Sequence, residues 1–383
     1  MINSLRLSNF KIFDSIELNG ITPFTIVGGL NDTGKTSLLT AIFIYTSRLQ
    51  PAMPSLAQSR GVSSTDWAAT YFRGFQMRPD MAVEITLKVD GRECLLKIDY
   101  VDAIQEQEIF ASSAPSEPAD GSDAVPPGAA ASGNAEEIAS QLAMPTGKKT
   151  VSALRMRWFE AADCIADIYA ILPLPPASPA AHRLMIKHSF PGTPLASALV
   201  FPFMRGSVPT FAQLLGRVVE AGEFECLLQG VRRVFPGIHN LSTVYSPPAP
   251  PSILVDIGLQ KPVPLSEFGD GFRELLGAWL PMPLLRNGVL LCDELGVGIH
   301  ASKLPAFVSQ MAAMAKRYNC QIIATTHSYE LLVAAHGAFA EADMKQSDFS
   351  YFRLDKSGSG ALSAVRFDHA ALGAAIAKNW EVR

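Results

Sequence analysis

Residues 24–36 read Phe24-Thr-Ile-Val-Gly-Gly-Leu-Asn-Asp-Thr-Gly-Lys-Thr36. The apolar run up to Gly28 predicts a buried strand, and the residues from Lys35 to Tyr45 predict an apolar helix. Between them, Gly29 to Thr36 matches the pattern G-x-x-x-x-G-K-[ST]. A glycine-rich loop that joins a strand to a helix presents backbone N–H groups to a phosphate. The segment therefore predicts a phosphate-binding loop in an α/β protein.

This loop supplies most of the candidate ligands for a nucleoside triphosphate. Lys35 is predicted to reach the β- and γ-phosphates and is therefore also a candidate catalytic residue. Thr36 carries the hydroxyl that would bind Mg²⁺. The remaining candidate binding residues of this loop are Gly29, Asn31, Asp32, Thr33, Gly34 and Ser37.

Two later segments place polar side chains at the ends of predicted buried strands. Asp293 and Glu294 follow the apolar run Val289–Cys292, and His327 follows the run Gln321–Thr325. In phosphate-loop ATPases, an aspartate at the first position orients Mg²⁺ and the glutamate activates the attacking water. A histidine after the next strand can contact the γ-phosphate. We therefore predict Asp293 as a metal ligand and Glu294 and His327 as catalytic residues.

A fourth motif, Ser266-Glu-Phe-Gly-Asp-Gly271, precedes a predicted helix over Phe272–Leu280. Such a loop can bind a γ-phosphate through backbone N–H groups and the serine hydroxyl. Ser266, Gly269 and Gly271 are the candidate ligands. Gly-Asp-Gly is also a common turn, and it is the position just before the Asp-Glu strand that favours the nucleotide-binding interpretation.

Together the four motifs resemble those of the compact ABC-type ATPases related to RecF, SMC proteins and the OLD nucleases. Within this AAA-like group the chain looks like the ATPases of bacterial defence loci, such as the ATPase subunits of PARIS-type systems. The resemblance implies an α/β fold: an ABC-type P-loop ATPase head with a mixed sheet, an N-terminal antiparallel β-subdomain and an α-helical or irregular arm. The segments that carry it are Leu5–Lys11, Pro264–Gly271, Cys292–His300 and Gln321–Glu330.

The resemblance also implies a mechanism and partners. Two copies would face each other head to tail, so that ATP and Mg²⁺ bound at Lys35, Thr36 and Asp293 of one are contacted by the Ser266–Gly271 loop of the other. Hydrolysis through Glu294 would release the pair. The expected function is a nucleotide-driven switch in anti-phage defence or a toxin–antitoxin-like module, with a separate effector such as a nuclease as partner.

Two departures from the family pattern concern the subunit interface. Leu295-Gly296-Val297 stands where relatives often carry a polar or acidic pair. Gln76 is the candidate for a glutamine loop, but an exposed polar residue is the simpler interpretation. Two other functions stay open: a RecF-like repair ATPase that clamps DNA, and a scaffold that binds ATP without hydrolysing it.

The composition of the 383 residues restricts these alternatives. The net charge is −4 and the pI is about 6.0, so the chain as a whole does not attract nucleic acid. Arg155, Arg157, Arg217 and the pair Arg232-Arg233 are interpreted as surface charges. The five cysteines form no C-x-x-C pair, which argues against a zinc site. There is no apolar run of about 18 residues and no signal peptide, so we expect a cytoplasmic protein without membrane contact.

The chain divides into four predicted regions. Residues 1–102 form the N-terminal half of the head, in which Leu5–Leu18 holds two strands that break near Asn9 and Val83–Ile98 forms a hairpin with an Asp-Gly turn. Residues 103–148 are a low-complexity insertion expected to be flexible. Residues 149–260 form an arm with one helix over Phe211–Val234, and residues 261–383 complete the head.

Overall fold

The computed structural model describes residues 1–47, 69–105, 150–161, 163–171, 184–186, 195, 197–200, 208–245, 247–248, 250–341, 343–378 and 380. The helices of this part of the chain are α1 (Lys35–Thr46), α2 (Val208–Glu220), α3 (Phe224–Val234), α4 (Asp270–Trp279), α5 (Leu304–Tyr318), α6 (Tyr329–Ala338) and α7 (His369–Ala377). The first eight strands are β1 (Ile2–Phe10), β2 (Phe13–Asn19), β3 (Phe24–Gly29), β4 (Val83–Val89), β5 (Arg92–Gln105), β6 (Thr150–Glu160), β7 (Asp163–Ile171) and β8 (Leu184–Ile186). The later strands are β9 (Ser197–Val200), β10 (Asn240–Val244), β11 (Ser252–Asp256), β12 (Val263–Pro264), β13 (Val289–Cys292), β14 (Gln321–Thr325), β15 (Phe349–Lys356) and β16 (Leu362–Asp368).

A mixed central sheet carries the strands that lead into the predicted motifs. Its strand order is β16-β15-β3-β14-β13-β9. All neighbouring pairs are parallel except β15 and β16, which are antiparallel. Val27 of β3 pairs with Thr325 of β14, and Cys292 of β13 pairs with Ala324. The three strands therefore end at the same edge of the sheet, and this register brings the segments that follow them together.

The parallel strands β3, β13 and β14 of the central sheet are buried on both faces, as expected. Successive residues of β13 enter two different cores: Val289 and Leu291 pack on one side, Leu290 and Cys292 on the other. The first core also holds α1 and the N-terminal strands, and the second holds α2 to α7. Burial of each such aliphatic side chain stabilises the fold by about 1.5–3 kcal/mol. Packing on both faces therefore fixes the position of these strands.

The N-terminal strands form an antiparallel sheet in the order β2-β1-β4-β5-β6-β7-β8. The predicted hairpin between β4 and β5 is confirmed, with Asp90 and Gly91 both at positive φ (49° and 84°). The two strands predicted within Leu5–Leu18 are also confirmed, but they turn at Lys11–Ile12 instead of near Asn9. Asn9 itself has positive φ (55°), so the irregularity that it introduces lies inside β1.

The described residues between 149 and 260 lie in four places. Strands β6 to β8 continue the antiparallel sheet, β9 forms the edge of the central sheet, β10 and β11 form a small antiparallel sheet with β12, and α2 and α3 pack into the second core. This placement differs from a separate arm, because each segment adds its apolar side to a layer of the head. The predicted insertion, apart from residues 103–105 at the end of β5, lies outside the described residues, and its flanks meet where Gln105 pairs with Thr150.

The prediction of one continuous helix over Phe211–Val234 is wrong. The structure has two helices, α2 and α3, separated at Ala221–Glu223. Gly222 adopts positive φ (71°), and the N–H of Glu223 reaches back to the carbonyl of Val218 at 3.0 Å, which closes α2. The apolar periodicity runs across this break because both helices bury the same side against one core.

Candidate functional site

The loop between β3 and α1 contains three residues in a backbone conformation that favours glycine. Gly29, Asp32 and Gly34 all have positive φ (135°, 60° and 87°). A Cβ atom added at Gly34 would lie 2.4 Å from Phe13 Cζ and 2.8 Å from Ile12 Cδ1, so the loop packs directly on the β1–β2 turn. Glycine is required here by both conformation and space.

Lys35 stands at the first position of α1 and is only 6% exposed. Its ammonium donates hydrogen bonds to the carbonyls of Gly29 at 2.8 Å and Leu30 at 2.7 Å, within its own loop. Burial lowers the pKa of Lys35 to about 8, although the nearby carboxylates of Asp293, Glu294 and Asp32 oppose this shift. The site therefore holds a buried cation beside a helix N-terminus, an arrangement that attracts a polyphosphate.

The hydroxyl of Thr36 and the carboxylate of Asp293 meet although 257 positions separate them. The Thr36 hydroxyl donates to Asp293 Oδ2 at 2.8 Å and lies 3.0 Å from Oδ1. Asp293 is 7% exposed and also accepts a hydrogen bond from the Thr325 hydroxyl at 2.6 Å. This contact joins the loop that carries Thr36 to the end of β13.

These oxygens fit a magnesium ion. Mg²⁺ is commonly held by one or two carboxylates together with substrate phosphates, and Thr36 and Asp293 present a hydroxyl and a carboxylate side by side. Among the described residues there is no group of three or more His, Cys, Asp and Glu side chains that could hold a metal. Thr36 and Asp293 would therefore bind the ion together with the nucleotide.

Glu294 and His327 lie at the same edge of the sheet. Glu294 has φ of 53°, and its N–H is held by the Thr325 hydroxyl at 2.8 Å. His327 is partly exposed, and Ser328 beside it caps α6 by accepting the N–H of Leu331 at 3.0 Å. Partial burial and the Lys35 ammonium lower the pKa of His327, against the opposing effect of Glu294. At neutral pH His327 can therefore donate a hydrogen bond from an uncharged ring.

The Ser266–Gly271 loop lies against the loop that follows Glu294. Ser266 and Gly269 are exposed, and Gly269 is the N-cap of α4. A Cβ atom added at Gly271 would lie 2.3 Å from the carbonyl oxygen of Gly298, and Gly298 has φ of 80°. The fourth motif is thus locked by a backbone contact to the segment that follows the Asp-Glu pair.

The other predicted loop residues differ in environment. Thr33 is buried, and its hydroxyl donates to the carbonyl of Leu30 at 2.8 Å, so it closes the loop. Asn31 and Asp32 are exposed, and Ser37 is half-buried on α1. Gln76 is exposed and accepts a hydrogen bond from Arg78 at 2.6 Å, which fits the simpler interpretation of a surface residue.

Sequence reasoning missed Thr325. It treated this residue as the last member of an apolar strand, yet its hydroxyl contacts both Asp293 and the backbone of Glu294. The only signal was a hydroxyl side chain at the carboxyl end of a buried strand next to β13. Which strand is the neighbour is decided by the sheet order, and periodicity does not show it.

Comparisons with known proteins find a family model, a relative and solved structures that are similar to this chain. A family model described as "AAA domain, putative AbiEii toxin, Type IV TA system" matches residues 185–334. An "ATP/GTP phosphatase" of Helicobacter pylori (strain ATCC 700392 / 26695) is 21% identical over 365 residues, covering 90% of each chain. A crystal structure of the SmcHead bound to the C-winged helix domain of ScpA has a TM-score of 0.50 at 11% identity, covering 96% of this chain and 97% of that one. An Smc head domain structure from Pyrococcus furiosus has a TM-score of 0.48 at 10% identity and covers 99% of both chains.

Of these findings, the similarity to the SmcHead structure confirms the predicted fold class, a mixed α/β ATPase head of the ABC type. They also support an ATPase of the ABC/AAA type, with an AAA domain similar to that of a toxin–antitoxin family. The matched segment contains the Ser266–Gly271 loop, Asp293, Glu294 and His327. In the part of the chain that the structure describes, no helix is long and apolar enough to cross a membrane.

The lowered pKa of Lys35 predicts a pH dependence of ATP binding. The protonated ammonium attracts phosphate, and it is lost as the pH rises through about 8 in the free protein. ATP affinity should therefore be level below this pH and fall above it by up to about tenfold per pH unit. Calorimetric titrations at increasing pH test this, and binding above pH 8 should take up a proton. The Lys35→Met variant is the control, because its residual binding should lack this pH dependence.

The contact between Gly271 and Gly298 predicts a local stability effect. Gly271→Ala forces two backbone segments apart and should lower the free energy of unfolding by about 1–3 kcal/mol. Gly269→Ala is the matched control, since its added methyl group meets nothing within 4 Å and its φ of −63° suits alanine. Urea unfolding of both variants measures the difference, and equal stabilities would contradict the contact.

Proposed function

We propose that the chain is a magnesium-dependent ATPase that binds ATP between two copies of itself and acts as a nucleotide-driven switch. The observation that carries the proposal is the meeting of Lys35, Thr36 and Asp293 at one edge of the central sheet. A buried cation, a helix N-terminus and a hydroxyl–carboxylate pair are the groups that Mg²⁺-bound phosphates require. In this proposal Glu294 activates the attacking water and His327 contacts the γ-phosphate.

The shared site is supported by what faces solvent near the nucleotide. Ser266 and Gly269, two of the candidate ligands, are exposed. Leu30 in the phosphate loop is 72% exposed, and Val297 after the Asp-Glu pair is 39% exposed. Exposed apolar side chains that flank polar ligands are typical of a protein interface. A second copy would cover them and bring its Ser266–Gly271 loop to the γ-phosphate.

The setting that we propose is a defence or toxin–antitoxin-like module in which the ATPase controls a separate effector, such as a nuclease. The name of the matched family, which refers to a type IV toxin–antitoxin system, supports this setting. The closer similarity to ATPases of PARIS-type systems remains a prediction from the sequence motifs. A DNA clamp is less well supported, because two of the candidate DNA-binding arginines form ion pairs within the chain. Arg155 pairs with Asp167, and Arg157 pairs with Asp99.

The test is affinity purification of tagged Glu294→Gln protein with ATP from its native cell, followed by mass spectrometry. A stoichiometric nuclease or toxin-like protein supports control of an effector. Lys35→Met, purified in parallel, is the control that should lose this partner if nucleotide-driven assembly is needed. Recovery of DNA with repair proteins would favour the RecF-like clamp, in which case binding to double-stranded DNA should weaken steeply with salt.

A further inference from the structure

Thr325, the last residue of β14, contacts three consecutive residues at the end of β13. Its hydroxyl donates to Asp293 Oδ1 at 2.6 Å and accepts the N–H of Glu294 at 2.8 Å. Its carbonyl accepts the N–H of Leu295, also at 2.8 Å. Thr325 is fully buried, with 0% of its surface exposed, so water does not compete for these bonds. Thr325 therefore holds all three residues of the turn after β13 by hydrogen bonds.

The hydrogen bonds account for how Asp293 is oriented. A threonine hydroxyl has a single donor, and Thr325 directs it at Oδ1. The Thr36 hydroxyl lies closest to the other carboxylate oxygen, Oδ2, at 2.8 Å. Rotation of the Asp293 carboxylate would break the bond from Thr325. The side of Asp293 that faces the phosphate loop is thus set by a residue of the adjacent strand.

The same hydroxyl supports the backbone of Glu294. Positive φ is uncommon for a residue with a side chain, and Glu294 has φ of 53°. Its N–H is satisfied by Thr325 Oγ1. Without that acceptor, the N–H would lose its partner in a partly buried position, at a cost of about 1–3 kcal/mol. The direction in which the Glu294 side chain leaves the strand therefore depends on Thr325.

We infer that Thr325 is a positioning residue for the magnesium–nucleotide site. It acts through Asp293 and Glu294, and it lies two residues before His327, which follows the same strand. The inference rests on the proposed function, because it assigns Thr325 to the same site. Residues that orient a metal ligand typically change metal affinity by about 10- to 100-fold when they are replaced.

The test is Thr325→Val, which keeps the shape of the side chain and removes the hydroxyl. Calorimetric titrations of ATP at a series of Mg²⁺ concentrations give the half-saturating Mg²⁺ for tight ATP binding. We expect this value to rise about 10- to 100-fold, while ATP affinity in EDTA stays unchanged. Thr325→Ser restores the hydroxyl and should return the value close to that of the wild type.

Thr25→Val is the matched control. Thr25 is also fully buried in the central sheet, and its hydroxyl bonds to the carbonyl of Thr22 at 3.1 Å and the hydroxyl of Ser350 at 3.0 Å, not to the site. It should lose stability but keep the wild-type Mg²⁺ dependence. If Thr325→Val behaves in the same way, Thr325 is only structural and the inference is overturned.

The inference can also be tested if Thr325→Val fails to fold or if the wild type does not bind ATP with Mg²⁺. If Thr325→Val does not fold, Thr325→Cys replaces it, because its S–H is a weak donor. Thr325→Cys should need more Mg²⁺ than Thr325→Ser, and equal values for the two overturn the inference. If the wild type itself shows no Mg²⁺-dependent ATP binding, the proposed function fails, and the inference fails with it. A failure confined to the Thr325 variants leaves the proposed function intact.

Discussion

Lys35→Ala is expected to abolish tight ATP binding. The Lys35 ammonium is buried and hydrogen-bonded to two loop carbonyls, and its neighbours hold it where phosphates would lie. Truncating one partner of a buried, hydrogen-bonded charge pair costs about 2–5 kcal/mol, or about 30- to 5,000-fold in affinity. Calorimetry or a fluorescent ATP analogue measures this loss directly.

Lys35→Met separates lost binding from lost folding. It keeps most of the length of the side chain but carries no charge. A lysine whose pKa is lowered on folding destabilises the protein at all pH values below its unfolded pKa, since its charged form is disfavoured by burial. Without nucleotide, Lys35→Met should therefore unfold at a temperature equal to or above that of the wild type. Normal ATP binding by Lys35→Met would contradict the assignment of the Gly29–Thr36 loop to the ATP site.

Glu294→Gln is expected to stop hydrolysis and leave ATP binding in place. The amide keeps the size of the side chain and the backbone bond from Glu294 N–H to Thr325, but it cannot accept a proton from the attacking water. General bases contribute about 10²- to 10⁴-fold, so phosphate release should fall by that range. With ATP bound and not hydrolysed, the two-copy state should accumulate, which mass photometry or light scattering can measure.

The controls for Glu294→Gln distinguish the competing functions. Without ATP, the variant should have the same mass distribution as the wild type. Equal phosphate release from wild type and variant would support a scaffold that uses ATP only as a ligand. An unchanged mass distribution with ATP, despite slowed hydrolysis, would contradict the shared-site mechanism and leave an ATPase that works as a single copy.

Local patterns predicted most of the elements that position the site. Continuous apolar runs identified β3, β13 and β14, because a strand buried on both faces has no polar side. The Asp90-Gly91 turn identified its hairpin because both residues tolerate positive φ. The pattern failed at Gly222, where the apolar spacing continues although one helix ends and the next begins. Periodicity reports which side is buried and does not report where a helix ends.

Residue patterns alone predicted the candidate groups of the site, which are a phosphate loop with Lys35 and Thr36, an Asp-Glu pair and a histidine at strand ends. These signals are local, since each depends on residue types within a few positions. Which of these groups lie in contact depends on the order and register of the strands. The parallel register places Thr325 against Asp293 and Glu294, and backbone packing locks Gly271 to Gly298. Such contacts join residues 27 and 32 positions apart, and strand order and close packing, which no local pattern encodes, bring them within hydrogen-bonding distance.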